Sequence, residues 1–231
     1  MAAGRDAHAL GAQAARLASR GDRSGPRPFA SGPLPSILLV YLLAVCAAGL
    51  GALAVGHSPF VCDGYLGVRG MASVLLSLGL GIVIWTVTAF ATRTMVRRFG
   101  WARALYRGLR PAVRDAGDAT LLGLAVASAL GEELLFRGLL VPAVGVVASS
   151  VVFGALHQIG GRARWAWMGW ATVMGLLFGT VFAATGSLAG PLVAHLAINH
   201  SNLRFLRDAA DPVARTGRVK QAVLGGLLRR P

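Results

Sequence analysis

Three long stretches of this sequence contain no charged residue at all. They cover residues 28–62, 70–92 and 165–203. A helix needs about 20 apolar residues to cross a bilayer, so the first two stretches can hold one span each and the third can hold two. A fourth apolar region, 119–160, carries Glu132, Glu133 and Arg137 as its sole charges. This pattern predicts an all-α fold, a polytopic membrane helical bundle.

We expect about six transmembrane helices, at 35–55, 71–91, 119–140, 146–160, 166–184 and 188–203. The fourth is short, about 21 Å at 1.5 Å per residue, so it is predicted to be tilted, re-entrant or shielded by its neighbours. Spans three and four are expected to form a hairpin that turns near Pro142–Gly145. In span five, Gly175, Gly179 and Ala183 form a stripe of small residues that favours close helix contact.

The formal net charge of +14 raises the question of a nucleic-acid partner, but its distribution indicates a membrane instead. Basic residues number five in 1–34, seven in 92–118, two in 161–165 and seven from 204 onward, whereas Arg69 is the one basic residue on the opposite side. This asymmetry follows the positive-inside rule. It predicts a multi-pass protein of the cell inner (plasma) membrane with both termini cytoplasmic, a lipid bilayer as partner and no nucleic acid.

The chain is expected to divide into four parts, judged from the charge and hydropathy pattern. Residues 1–34 are predicted to be a disordered basic cytoplasmic tail. Residues 35–114 hold two transmembrane helices and a basic cytoplasmic loop, 115–205 hold four membrane helices, and 206–231 form a basic cytoplasmic tail. No oligomeric state is predicted.

Two adjacent acidic residues, Glu132 and Glu133, lie inside a predicted span. An ionisable group at membrane depth costs at least about 2.5 kcal/mol on insertion scales, so such groups usually line a cavity and serve a function. Glu133 lies four residues before Arg137, a spacing that favours a structural ion pair. Glu132 points about 100° away around the helix and has no local partner. We therefore interpret Glu132 as the functional member of the pair.

Polar residues of other spans are expected at the depth of Glu132. From the hairpin turns, Glu132 and His157 lie roughly 17 and 20 Å away, and His195 and Asn199 roughly 13 and 20 Å. These four residues could form a minimal hydrolase, in which Glu132 and His157 activate water while His195 and Asn199 donate hydrogen bonds to an oxyanion. Ser128, one turn before Glu132, is treated as a packing residue.

A metal site is an alternative interpretation of the same side chains. Two histidines and one glutamate, with water as fourth ligand, form a known catalytic zinc set. The HExxH spacing that would strengthen this interpretation is absent. Asn199 fits an oxyanion donor better than a zinc ligand, so we predict no cofactor and keep zinc as the alternative.

A family resemblance rests on three motifs of the sequence. They are EELLFRG at 132–138, FGALH at 153–157 and HLAIN at 195–199. Together they resemble the CAAX protease and bacteriocin-processing family, also called the Abi family of intramembrane glutamic endopeptidases, over roughly 115–205. The resemblance implies that this segment is the catalytic core of a membrane protease. It also implies that Glu132 and His157 activate water, that His195 and Asn199 stabilise the oxyanion, and that Glu133 and Arg137 support them.

The predicted function is therefore that of an intramembrane endopeptidase, similar to type II CAAX prenyl endopeptidases. Its substrate would be a membrane-associated protein or peptide. The reaction would be CAAX-type processing or the processing of a bacteriocin or its leader. Two further alternatives stay open. A proton-coupled transporter could also use buried Glu and His residues, and a non-catalytic bacteriocin-immunity protein could share the fold without the activity.

Overall fold

The computed structural model of the protein describes residues 34–160 and 163–209. Within them the chain forms α1 (Leu34–Val55), α2 (Gly70–Arg98), α3 (Gly100–Leu109), α4 (Asp118–Glu133), α5 (Val141–Leu156), α6 (Arg164–Thr185) and α7 (Ala189–Asp208). A 3-10 turn, Arg110–Ala112, follows α3, and a π-helical segment, Leu134–Leu140, joins α4 to α5. The predicted all-α membrane bundle is confirmed. The predicted terminal tails lie almost wholly outside the described residues, and the division into four parts stays a prediction.

Four stretches of the described chain are long and apolar enough to cross a membrane. They are Ser36–Val55, Gly70–Arg98, Asp118–Leu156 and Arg164–Thr185. The last predicted span, 188–203, forms α7 but does not reach this hydropathy, because His195, Asn199 and other polar residues lower its average. Helix α7 packs instead against α2 and α4, so its polar groups face protein neighbours.

The third stretch, Asp118–Leu156, doubles back on itself. Gly145 has φ 82° and ψ 167°, a conformation that glycine adopts readily because it has no Cβ. Beyond it, the Ser149 hydroxyl donates to the Phe136 carbonyl at 3.2 Å, and the rings of Phe136 and Phe153 lie 4.9 Å apart. These contacts confirm the predicted hairpin near 142–145.

Small residues allow the return arm of this hairpin to pack closely on α6. A Cβ built on Gly175 would lie 3.0 Å from Ser150, and one built on Gly179 would lie 2.9 Å from Val146. A Cβ on Gly154 would meet the hydroxyl of Thr172. The predicted close helix contact of span five is thus confirmed at Gly175 and Gly179. Because α5 ends at Leu156, earlier than predicted, this arm is too short to cross a bilayer alone.

The loop between α1 and α2 lies over the C-terminal end of α6. The backbone N–H groups of Cys62, Tyr65 and Leu66 donate to carbonyl groups of residues 183–186, each at 3.0 Å. These bonds satisfy carbonyls that a helix end leaves without partners. They anchor the C-terminal end of α6, which lies at the end of the bundle opposite the basic segments.

The basic segments gather at the other end of the bundle. The Tyr106 hydroxyl of α3 donates to the Ala209 carbonyl at 2.7 Å, and Arg207 of α7 donates to the Ala116 carbonyl at 3.1 Å. The basic loop that connects α2 to α4 therefore packs against the end of α7. This arrangement agrees with the charge asymmetry of the sequence, while the cytoplasmic orientation of this end stays a prediction.

The contact between α2 and α7 generates a stability prediction. A Cβ on Gly81 would meet the backbone carbonyl of Gly190, whereas a Cβ on Gly79 would have nothing within 4 Å. We expect Gly81→Ala to lower the free energy of unfolding by about 1 to 3 kcal/mol through overpacking. The matched control Gly79→Ala should leave it unchanged or slightly higher. Unfolding of the purified protein in detergent measures both, and equal stability of the two variants would contradict this packing.

Candidate functional site

A buried ion pair lies at the centre of the bundle. Arg137 Nη1 donates to Glu133 Oε1 at 2.9 Å, and the two side chains are 1% and 0% exposed. The guanidinium also lies 4.6 Å from the ring centre of Phe153 and 5.2 Å from that of Phe178. Its Nη2 donates to the Gly175 carbonyl at 3.5 Å. The predicted pairing of Glu133 with Arg137 is confirmed, and aromatic faces surround the cation.

Glu133 has a second partner that the sequence did not reveal. His195 Nδ1 lies 2.6 Å from Glu133 Oε1. A carboxylate oxygen accepts, so Nδ1 carries the proton in this contact. The bond fixes the orientation of the ring and directs Nε2 towards Glu132, whose Oε2 lies 3.6 Å away. Glu133 therefore orients His195 as well as balancing Arg137.

Glu132 lies where the two imidazoles converge. Its Oε2 is 3.8 Å from His157 Nε2 and 3.6 Å from His195 Nε2, and Oε2 has no hydrogen-bond partner among the described residues. The ring of His157 is held by Nδ1, which lies 2.7 Å from the Phe153 carbonyl and donates to it. The structure thus brings together Glu132, His157 and His195.

The other oxygen of Glu132 contacts a residue that the sequence analysis missed. The Tyr41 hydroxyl on α1 donates to Glu132 Oε1 at 3.1 Å. The signal that could have found it is a single phenol within the otherwise apolar span 35–55. Pairing it with Glu132 required knowing how α1 packs on α4, which the sequence alone does not give.

Three acceptor atoms converge at this point when both imidazoles are neutral. These atoms are Glu132 Oε2 and the two Nε2 atoms, because each Nδ1 carries its proton elsewhere. Separations of 3.6 and 3.8 Å exceed a direct hydrogen bond and suit a bridging water molecule. Among the described residues, no group of three or more His, Cys, Asp or Glu side chains is arranged to hold a metal ion. Zinc stays the alternative interpretation.

Asn199 lies on α7 one turn beyond His195, and its contact corrects the prediction for Ser128. Asn199 Nδ2 donates to Ser128 Oγ at 2.9 Å, and Ser128 in turn donates to the Ala125 carbonyl at 3.2 Å. Ser128 is therefore a hydrogen-bond partner of Asn199 and not merely a packing residue. The oxyanion role of Asn199 stays a prediction.

A groove of about 510 Å³ is lined in part by Glu132 and His157. One wall is α1, and the other walls come from α4, the π-helical segment, the end of α5 and the start of α6. The residues that α1 contributes are Ser36, Ile37, Val40, Tyr41 and Ala44. Glu132 therefore borders the groove with its Oε2 atom buried towards the histidines, while Glu133 and Arg137 are buried behind it.

The π-helical segment begins directly after Glu133, which the sequence analysis did not predict. Such wider turns are rare and occur frequently at functional sites. Two of its residues, Leu135 and Phe136, line the groove. The segment therefore connects the carboxylate pair to the groove wall.

The fold and the site together define a polytopic membrane helical bundle with a largely buried Glu/His cluster beside a groove. Residues 119–201 match the family model described as Type II CAAX prenyl endopeptidase Rce1-like. This match confirms, over that segment, the family resemblance carried by the three motifs. It includes every hydrogen-bonded residue of the Glu/His cluster except Tyr41.

A curated relative and the solved structures add two further findings. The chain is 33% identical over 79 residues to the uncharacterized protein YpbD of Bacillus subtilis (strain 168). The aligned residues are 34% of this chain. The aligned part is 41% of YpbD, so the chain spans about two fifths of that relative's length. No solved structure matches the chain.

The buried pair generates a second stability prediction. Arg137→Leu leaves the Glu133 carboxylate buried without its cation, which should lower the free energy of unfolding by about 3 to 5 kcal/mol. The control is Arg69→Leu, because Arg69 is 85% exposed and its ion pair with Asp63 lies at the surface. That change should cost at most about 1 kcal/mol. Chemical unfolding in detergent compares them, and equal losses would refute the role given to Arg137.

Proposed function

We propose that this protein is an intramembrane endopeptidase that hydrolyses a peptide bond of a membrane-associated protein or peptide. The observation that carries the proposal is the position of Glu132 Oε2, which faces the Nε2 atoms of His195 and His157 at 3.6 and 3.8 Å. Glu132 also lines the groove. A base, two imidazoles and a route for substrate are the parts that such a hydrolase requires.

In this proposal Glu132 and His157 activate water. A water molecule between them donates one hydrogen to Glu132 Oε2 and the other to His157 Nε2, whose ring is held through Nδ1 by the Phe153 carbonyl. As the water oxygen bonds to the scissile carbonyl carbon, Glu132 takes the proton. That proton passes to the leaving nitrogen when the C–N bond breaks, which yields a carboxylic acid and an amine.

His195 and Asn199 are proposed to stabilise the tetrahedral oxyanion. Because His195 Nδ1 already donates to Glu133, donation from Nε2 requires the doubly protonated ring, which the carboxylates of Glu132 and Glu133 flank. Donors are worth more where bulk water is excluded. Asn199 would supply the second donor, with its side chain held by Ser128.

The groove indicates how a substrate reaches the carboxylate. Its volume of about 510 Å³ lies in the usual range for binding sites and accommodates a short extended segment. Gln158 and Trp167 line it towards the basic end of the bundle. We therefore propose cleavage near that face, in a substrate segment held extended, where the scissile carbonyl is not engaged in helical hydrogen bonds.

The test of this function is a comparison of membrane-proximal protein termini. Cells that express the wild type should show new termini that are absent from cells expressing Glu132→Ala. The same substrates should then be cleaved by purified wild type in vesicles. Arg69→Leu serves as a control, since Arg69 lies on the surface outside the groove, and it should reproduce the wild-type termini.

Equal sets of termini in wild type and Glu132→Ala would refute the protease. Loss of proton-coupled flux in Glu132→Ala vesicles without any peptidase activity would favour the transporter alternative. A cellular phenotype that survives both Glu132→Ala and His195→Ala would favour the non-catalytic immunity protein.

Metal dependence is a separate prediction. Because Asn199 is proposed as an oxyanion donor, we expect cleavage to continue after treatment with a zinc chelator such as 1,10-phenanthroline. The purified active protein should contain far less than one zinc per chain by atomic absorption. Loss of cleavage on chelation, with recovery on adding Zn²⁺, would assign Glu132, His157 and His195 as metal ligands instead.

A further inference from the structure

Tyr41 connects a helix outside the family-matched segment to the proposed base. It lies on α1, whereas the match covers residues 119–201. Its hydroxyl donates to Glu132 Oε1 at 3.1 Å. The other oxygen of the same carboxylate faces His157 and His195. The two oxygens of Glu132 therefore have different environments, with Tyr41 on one side and the two histidines on the other.

The position of Tyr41 is set by close packing between α1 and α4. A Cβ on Gly131 would lie 3.0 Å from Tyr41 Cδ1 and 3.2 Å from the Tyr41 carbonyl oxygen. Glycine at the residue before Glu132 thus lets the phenol ring lie against the α4 backbone. This contact places the hydroxyl beside the Glu132 carboxylate.

We propose that Tyr41 is a positioning residue for Glu132, a role that rests on the proposed function. The terminal torsion of a glutamate is broad and roughly two-fold, so an unrestrained carboxylate can rotate either oxygen towards the histidines. The Tyr41 hydroxyl holds Oε1 and thereby keeps Oε2 between the two Nε2 atoms. Helix α1 contributes in this way to a cluster whose other hydrogen-bonded residues all lie between the start of α4 and the end of α7.

The experiment compares Tyr41→Phe with wild type on the reporter peptide that wild type cleaves fastest in a membrane-tethered library. Phenylalanine keeps the ring that packs on Gly131 and removes the hydroxyl alone. We expect kcat to fall about tenfold or more, as for loss of a hydrogen bond to a charged group, with KM within about twofold. Rates are taken per folded protein, judged by size exclusion, so that partial unfolding does not imitate the loss.

Tyr65→Phe is the matched control, because Tyr65 is 86% exposed and lies in the loop between α1 and α2. It should keep the wild-type kcat and KM. A second readout uses Glu132→Asp, which withdraws the carboxylate from the phenol by one methylene. If Tyr41 acts through Glu132, Tyr41→Phe should cause little further loss in that background, whereas an independent structural role would give additive losses.

The outcomes separate this inference from the proposed function. If wild type cleaves, Glu132→Ala does not, and Tyr41→Phe matches wild type, the positioning role is overturned and the protease stands. A raised KM with unchanged kcat also overturns it, because Tyr41 would then bind substrate as a groove residue. If wild type and Glu132→Ala do not differ, the proposed function itself fails.

Discussion

The buried contact between Glu133 and Arg137 is the interaction on which the rest of the site depends. Two charges in an apolar bundle are tolerated when they are paired with each other and gain further hydrogen bonds. Glu133 Oε1 accepts from both Arg137 and His195, although Glu133 Oε2 has no hydrogen-bond partner among the described residues. Arg137 contacts aromatic faces and donates a hydrogen bond to the Gly175 carbonyl of α6. Glu133 accepts a hydrogen bond from His195 of α7. Satisfying one ion pair therefore joins α4, α6 and α7, and the same contacts fix the imidazole that faces Glu132.

The adjacent carboxylates consequently have separate environments. Glu133 is completely buried and bound to its partners, whereas the Glu132 side chain is 16% exposed and lines the groove. Neighbouring helical residues point about 100° apart, so one side chain can be buried in the bundle interior while the next lines the groove. This difference supports the proposal that Glu132 carries the chemistry and Glu133 supports the structure around it.

Much of this arrangement could be predicted from the sequence, because helical rise and turn positions determine depth. The hairpin near Gly145 and the meeting of Glu132 with His157 and His195 follow from counting residues from each turn. The contacts of Tyr41 and Ser128 could not be predicted in this way. They depend on how each helix is rotated about its axis and how closely α1 and α7 approach α4, which tertiary packing decides. The π-helical segment likewise has no periodic signal in the sequence.

The most direct test compares Glu132→Gln with Glu133→Gln in the purified protein and measures both cleavage and unfolding. Both remove one charge at adjacent positions with almost no change in shape. The account predicts that Glu132→Gln keeps the unfolding midpoint of wild type and loses cleavage, while Glu133→Gln lowers the midpoint because Arg137 and His195 lose their carboxylate. Cleavage retained by Glu132→Gln, or an equal loss of stability in both variants, would contradict it.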